Sequence, residues 1–239
     1  MSEPRGIPKA AGGAAESAYA CRAMTDDDFC AALTATISSS APELHAFRRD
    51  LHAHPELSRQ ETRTTKRIIE RLSGAGLAVR PFPGTGLVVD IGPEQASYRV
   101  ALRADIDALP VRERTGLDFA STNPGVCHAC GHDVHTAALL GAVLALATHE
   151  DELRERGIAV RAIFQAAEEI IPGGAHDAIA HRAMEGVDSV FALHCDPSLD
   201  VGQVGLREGP LTAACDHVRV LLHGRGGHTS RPQLTEDLI

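Results

Sequence analysis

The chain contains no Trp, and Phe and Tyr together supply only 3% of its 239 residues. So low an aromatic content argues against a stacking platform for single-stranded nucleic acid. Positive charge is short as well: 23 Lys and Arg stand against 32 Asp and Glu, a formal net charge of −9. That balance repels phosphate backbones, and the basic residues are scattered rather than clustered, so nucleic acid is not an expected partner. Long apolar runs are also missing. The longest, around residues 136–147, is too short and too rich in Ala to span a bilayer. Residues 1–20 lack the continuous apolar core of a signal peptide. No regular spacing relates the six Cys, which favours reduced thiols and a cytoplasmic location over a disulfide framework.

What remains is ordinary globular material: 44% hydrophobic and 23% charged residues, enough for one large domain or one domain plus part of another. Residues 1–23 are rich in Ala, Gly, Pro and Ser without periodicity and are expected to be a disordered extension, with Met24 a second candidate start. Acids after Met24 open a helix-like segment. Leu44, Phe47 and Leu51 then predict a helix over 42–54, ended by Pro55. A second helix is expected from about Ser58 to Ser73, with Ser58 and Glu61 as a capping box. Apolar runs at 87–91, 99–105, 157–164 and 189–194 read as strands, and residues 174–184 as a helix. Strands that alternate with helices and are apolar nearly throughout predict an α/β fold, a mostly parallel sheet flanked by helices. Residues 24–212 would form this domain. The alternating pattern at 216–223 predicts a half-exposed strand, so residues 213–239 would begin a second, α+β domain.

The segment His128-Ala129-Cys130-Gly131-His132-Asp133-Val134-His135 packs one thiol, three imidazoles and a carboxylate around one glycine. Residues two apart diverge on a helix but share a side in a turn, which Gly131 makes cheap. Cys130 and His132 are therefore candidate metal ligands on a loop feeding a helix expected over the apolar run 136–147, with Asp133 as its cap. Two alternatives stay open at this point. Cys127 and Cys130 form a Cys-x-x-Cys that suits a dithiol redox pair, and the histidines suit plain polar roles at a helix start.

Open α/β sheets bind ligands beyond the carboxyl ends of their strands. Arg103, Asp105 and Asp107 fall at one such end, Glu168 and Glu169 at another, and His194 at a third. Thiolate, imidazole and carboxylate would then converge at one edge, a mixed donor set suited to Zn²⁺ or another first-row divalent ion. In an adjacent Glu pair, one carboxylate can bind metal while the other takes a proton from water. Arg103, Asp105 and Asp107 would support the ligands from behind. His45, His52, His54, His149, His176, His181, His217 and His223 lack comparable surroundings and read as surface or packing residues.

Six blocks occur in one order: Leu51-His-Ala-His-Pro-Glu-Leu57, Arg103-Ala-Asp-Ile-Asp-Ala-Leu-Pro110, His128-Ala-Cys-Gly-His-Asp133, Phe164-Gln-Ala-Ala-Glu-Glu169, Ala192-Leu-His194 and Gly226-Gly-His-Thr-Ser-Arg-Pro232. From about Leu44 onward the chain thereby resembles the M20 metallopeptidase family, in particular the amidohydrolase branch acting on N-acyl amino acids and auxin conjugates. The resemblance implies a divalent metal, Mn²⁺ or Zn²⁺ and often a pair, held by Cys130, His132, Glu169 and His194. It implies Glu168 as general base in amide hydrolysis. His228 matches a lid-domain histidine that reaches an active site across a homodimer and polarises the scissile carbonyl. Cys127 stands where the family often has Met, so a Cys127–Cys130 disulfide would block the site. The family also extends well past residue 239, with the rest of the lid, the last catalytic-domain elements and a further metal-binding His. The expectation is thus a truncated hydrolase, weak in metal binding and turnover when alone, with a non-catalytic metal-binding or interaction fragment as the alternative.

Overall fold

A computed structural model describes residues 24–211, 218–224, 226–228 and 230–234. The extension assigned to residues 1–23 lies outside the described residues. Helix α1 (Asp26–Ala53) starts after Thr25, whose hydroxyl accepts from the Asp28 amide, with three acids in its first turn. Both features satisfy the unpaired N–H groups and positive end of the helix. The two helical pieces expected from sequence are one helix of 28 residues that runs through Pro42. Pro42 forfeits one backbone bond, while Phe29, Leu44, Phe47 and Leu51 pack the helix onto the core on both sides of it.

Helix α2 (Thr62–Gly74) begins later than expected, and the capping box does not form. Glu61 occupies the N-cap without a capping bond, and Ser58 donates instead to Asp107. A local spacing rule is overridden here by tertiary partners. The strands are β1 (Val79–Pro81), β2 (Leu87–Ile91), β3 (Tyr98–Asp105), β4 (Ile158–Gln165) and β5 (Ser189–Ala192). Helices α3 (His132–Thr148) and α4 (Glu150–Arg156) lie between β3 and β4, and α5 (Ala175–Ala180), shorter than expected, precedes β5.

The order in the sheet is β1-β2-β4-β3-β5. Pairing is parallel through β4, β3 and β5 and antiparallel where β2 and β1 extend the sheet, so the α/β sheet flanked by helices is mixed. β4 is buried along nearly its whole length because both its faces are covered. Period-two alternation divides the core. Leu87, Val89, Ile91, Ala162 and Phe164 face α1, α2 and α3, whereas Val88, Ala101 and Ile163 pack with Phe82, Ala178 and Ala183 on the other side.

The strand expected at 216–223 is not formed over residues 218–223, which are irregular and exposed; residues 216 and 217 lie outside the described residues. An alternating pattern becomes a strand only beside a partner strand, and none pairs with it among the described residues. No described helix is long and apolar enough to cross a membrane.

Candidate metal centre

The carboxyl ends of β3, β4 and β5 lie side by side, and the turn at Gly131 brings the N-terminus of α3 against them. Gly131 adopts φ 86°, a left-handed conformation, and a Cβ there would meet the Cys195 Sγ at 2.9 Å. Glycine is thus required twice, for the turn and for the close approach of the chain leaving β5.

His132 is the centre of the cluster and is almost fully buried. Its Nδ1 lies 2.9 Å from the Asp107 carbonyl oxygen and 3.2 Å from Asp107 Oδ1. Two acceptors at Nδ1 hold a proton there, which makes Nε2 the ring nitrogen that could give its lone pair to an ion. Nε2 has no hydrogen-bond partner, and neither has the buried Glu169 Oε1, 3.6 Å away. On another side Cys130 Sγ lies 3.3 Å from His194 Nε2, while His194 Nδ1 donates to the Cys195 carbonyl. Ligand atoms lie within 4.8 Å of one another in three sets: Cys130, His132 and His194; His132, Glu168 and Glu169; Asp105, His132 and His135.

In the third set, His135 and Asp105 are already satisfied by hydrogen bonds. His135 Nδ1 donates to Asp105 Oδ1 at 2.6 Å, and its Nε2 accepts from the Cys195 amide at 2.8 Å. Both nitrogens are committed, so His135 ties the segment after β5 to β3 rather than offering a free donor. The other Asp105 oxygen accepts from Arg103 at 2.7 Å, and Arg103 is held in turn by Gln165. Asp107 accepts from Ser58 at 2.6 Å and from the Glu169 amide at 3.0 Å, which joins His132 to the Glu pair through one carboxylate.

Burial would raise the Asp107 carboxyl, but hydrogen bonds from His132, Ser58 and the Glu169 and Glu168 amides outweigh it and lower the group to about 2. Asp105 is also lowered, its burial outweighed by the His135 hydrogen bond and the Arg103 charge. Glu169 moves the other way: burial and the Glu168 charge raise it. Burial, followed by the charges of Glu169, Asp105 and Glu168, pushes the Cys130 thiol up to about 12. Four acids and a thiol crowd one imidazole here, an arrangement that a cation relieves. Two buried orphan atoms facing each other fit an ion between them, as does the S/N/O donor chemistry.

Cys130, His132, Glu168, Glu169 and His194 are thus brought together, with Arg103, Asp105 and Asp107 around them. His228 is not among them. It is exposed on an irregular segment, within hydrogen-bond distance of the Ser230 hydroxyl, and belongs to none of the ligand sets among the described residues. Cys127 and Cys130 are both free.

Several contributors escaped the sequence reading. Asp133 does not cap α3; it is buried, 2.6 Å from Arg48 and 2.9 Å from His52. His52, expected to be a surface or packing residue, links Asp133 to Glu113. Its signal lay in the Leu51–Leu57 block and in the one-turn spacing of Arg48 and His52 on α1.

The family model described as peptidase family M20/M25/M40 matches residues 101–237. A putative glutamate–cysteine ligase 2-3 of Rhodococcus jostii (strain RHA1) is 50% identical over 235 residues, covering 97% of this chain and 29% of that protein. An N-acetyl-L-cysteine deacetylase of Bacillus subtilis (strain 168) is 45% identical over 197 residues, 82% of this chain and 46% of the relative. Among solved structures, the YxeP protein of Bacillus subtilis, described as a dinuclear metal-binding peptidase from the M20 family, superposes with a TM-score of 0.68 at 43% identity. The match covers 73% of this chain and 48% of that one. The chain therefore spans about half the length, or less, of these relatives.

Proposed function

The chain belongs to peptidase family M20/M25/M40, and from that premise we propose that it hydrolyses the amide bond of N-acyl amino acids at a divalent metal held by Cys130, His132, Glu169 and His194. The observation that carries this proposal is the pair of buried, unpartnered atoms His132 Nε2 and Glu169 Oε1, 3.6 Å apart. Zn²⁺ suits the thiolate and imidazoles and Mn²⁺ the carboxylates, as one ion or two. Such an ion acidifies water and polarises a carbonyl.

The remaining steps fall to the chain's own groups. Asp107 holds the His132 Nδ1 proton and so keeps Nε2 as a donor. Glu168, exposed beside Glu169, takes a proton from the attacking water at its carboxylate and delivers it to the leaving amine. Asp105 and Arg103 brace the wall behind His132. His228 is assigned to the scissile carbonyl, contributed by a second copy of the chain in a homodimer. Residues 24–212 would then be the catalytic part and 213–239 the beginning of the lid. Free thiols at Cys30, Cys127, Cys130 and Cys195 support a cytoplasmic, reducing setting. An N-acetyl-L-cysteine deacetylase among the relatives supports small N-acyl amino acids as the substrate class.

Metal analysis after dialysis, joined to an assay on a panel of N-acyl amino acids, tests the proposal. Bound Zn²⁺ or Mn²⁺ with chelator-sensitive turnover is expected, and Glu168→Gln should retain the metal while losing hydrolysis. Unchanged turnover in that variant contradicts the role of Glu168, and metal without turnover leaves a non-catalytic metal-binding protein.

A further inference from the structure

Ala167 immediately precedes the Glu168–Glu169 pair and holds φ 52°, in the left-handed region. For a residue with a Cβ this conformation is costly and persists only where the surroundings impose it. Ala167 is buried, and two hydrogen bonds hold it: its amide donates to Glu61 Oε1 at 2.7 Å, and its carbonyl accepts from the Gly174 amide at 2.8 Å. Glu61 is fully buried, and its second oxygen accepts from the Thr85 hydroxyl at 2.7 Å. Burying a carboxyl group is expensive, and at this position it caps nothing in its own helix. Two residues on, the Glu169 amide is bound by Asp107. The short stretch carrying both glutamates is therefore tied down at each end by a buried carboxylate.

We infer that Glu61 is a positioning residue for the Glu168–Glu169 pair: it holds the Ala167 amide in the left-handed turn that carries both glutamates to His132. The inference rests on the proposed roles of Glu168 and Glu169. Glu61 is a good anchor because it directly precedes α2, whose Ile68 and Leu72 are fully buried in the core. Without this acceptor, Ala167 has a buried unpaired N–H and a strained backbone, and both are relieved by rotating the peptide toward right-handed or extended dihedrals. That rotation re-aims Glu168 and Glu169 while the sheet stays in place.

The test compares the full chain with its Glu61→Ala, Glu61→Asp and Glu61→Gln variants by two measurements. The first, on metal-free protein, is amide hydrogen exchange at Ala167 relative to Ala162 in the middle of β4. The second is Co²⁺ titration followed by the thiolate charge-transfer absorption from Cys130. Glu61→Ala should speed exchange at Ala167 by about tenfold or more with Ala162 unchanged, and weaken Co²⁺ binding about tenfold. Glu61→Asp keeps the charge but withdraws the oxygens by one methylene, so it should behave like Ala and carries the test if the Ala variant does not fold. Glu61→Gln keeps an acceptor for Ala167 and should stay within about threefold of the parent on both measurements. Wild-type protection of Ala167 in a folded Ala or Asp variant overturns the inference, as does equal Co²⁺ affinity across all variants that bind it. If the parent chain binds no Co²⁺ but shows the exchange pattern, the anchor stands and the proposed metal chemistry falls.

Discussion

Asp107 acts on His132 through a single proton. By accepting at Nδ1 it decides which nitrogen keeps a lone pair, and the same carboxylate also receives the Ser58 hydroxyl and the Glu169 amide. Asp107→Asn keeps the size of the side chain and the 2.9 Å contact of His132 Nδ1 with the backbone carbonyl, but removes the carboxylate charge that makes the ring a better metal ligand, so Zn²⁺ affinity should fall about tenfold. Competition with a chromophoric chelator reads this directly, and an unchanged affinity contradicts the role. His128 supports a second prediction. It is buried with neither ring nitrogen hydrogen-bonded, and burial lowers it from 6.5 to about 4. The unfolded chain therefore accepts a proton that the folded chain refuses. The stability tied to this neutral ring is complete above pH 6.5 and declines as pH falls toward 4, by up to about 3 kcal/mol. Urea denaturation across that range should show a shallower decline for His128→Phe than for the parent chain; equal slopes contradict the assignment.

Among elements, the meeting of the α3 turn with the segment leaving β5 is a tight constraint on the site. Gly131→Ala sets a Cβ against Cys195 Sγ at 2.9 Å and forces a left-handed conformation on a residue that resists it. A loss of roughly 1–3 kcal/mol is expected, together with weaker metal binding, because His194 adjoins Cys195. Thermal unfolding and a Zn²⁺ titration check the two effects separately. Elements whose cause is local were readable from sequence: β2, β3, β4 and β5 lie within a residue or two of their apolar runs, and Cys130, His132, Glu168, Glu169 and His194 gather near strand ends. What escaped has distant causes. The Glu61 spacing imitates a capping box, but its partner lies 106 residues away in sequence. Asp133 stands where a cap belongs and pairs instead with Arg48 and His52 of α1. The continuity of α1 across Pro42 depends on packing, which a helix-breaking residue hides from a reading of propensities.

For the whole molecule, metal binding and folding are linked wherever the site exists only in the folded chain. Free Zn²⁺ at a hundred times its dissociation constant should stabilise the chain by about 2.7 kcal/mol. The shift should disappear with chelator and in His132→Ala; a shift that survives in the variant places the ion elsewhere. β5 has one unpaired edge among the described residues, and Phe191 and Leu193 stand 61% and 67% exposed on and beside it. Such an edge promotes association between chains. The apparent molar mass from light scattering should therefore grow with concentration, and Phe191→Lys should suppress the growth; a mass independent of concentration would contradict this.

His132 belongs to every one of the three ligand sets, yet an imidazole nitrogen has one lone pair to give. The sets cannot fill independently. An ion held at Nε2 would leave any second ion to be held without it. Loading should then be sequential, one tight event followed by a looser one, and a substitution at His132 should erase the tight event and with it the stabilisation expected at a hundred times that dissociation constant.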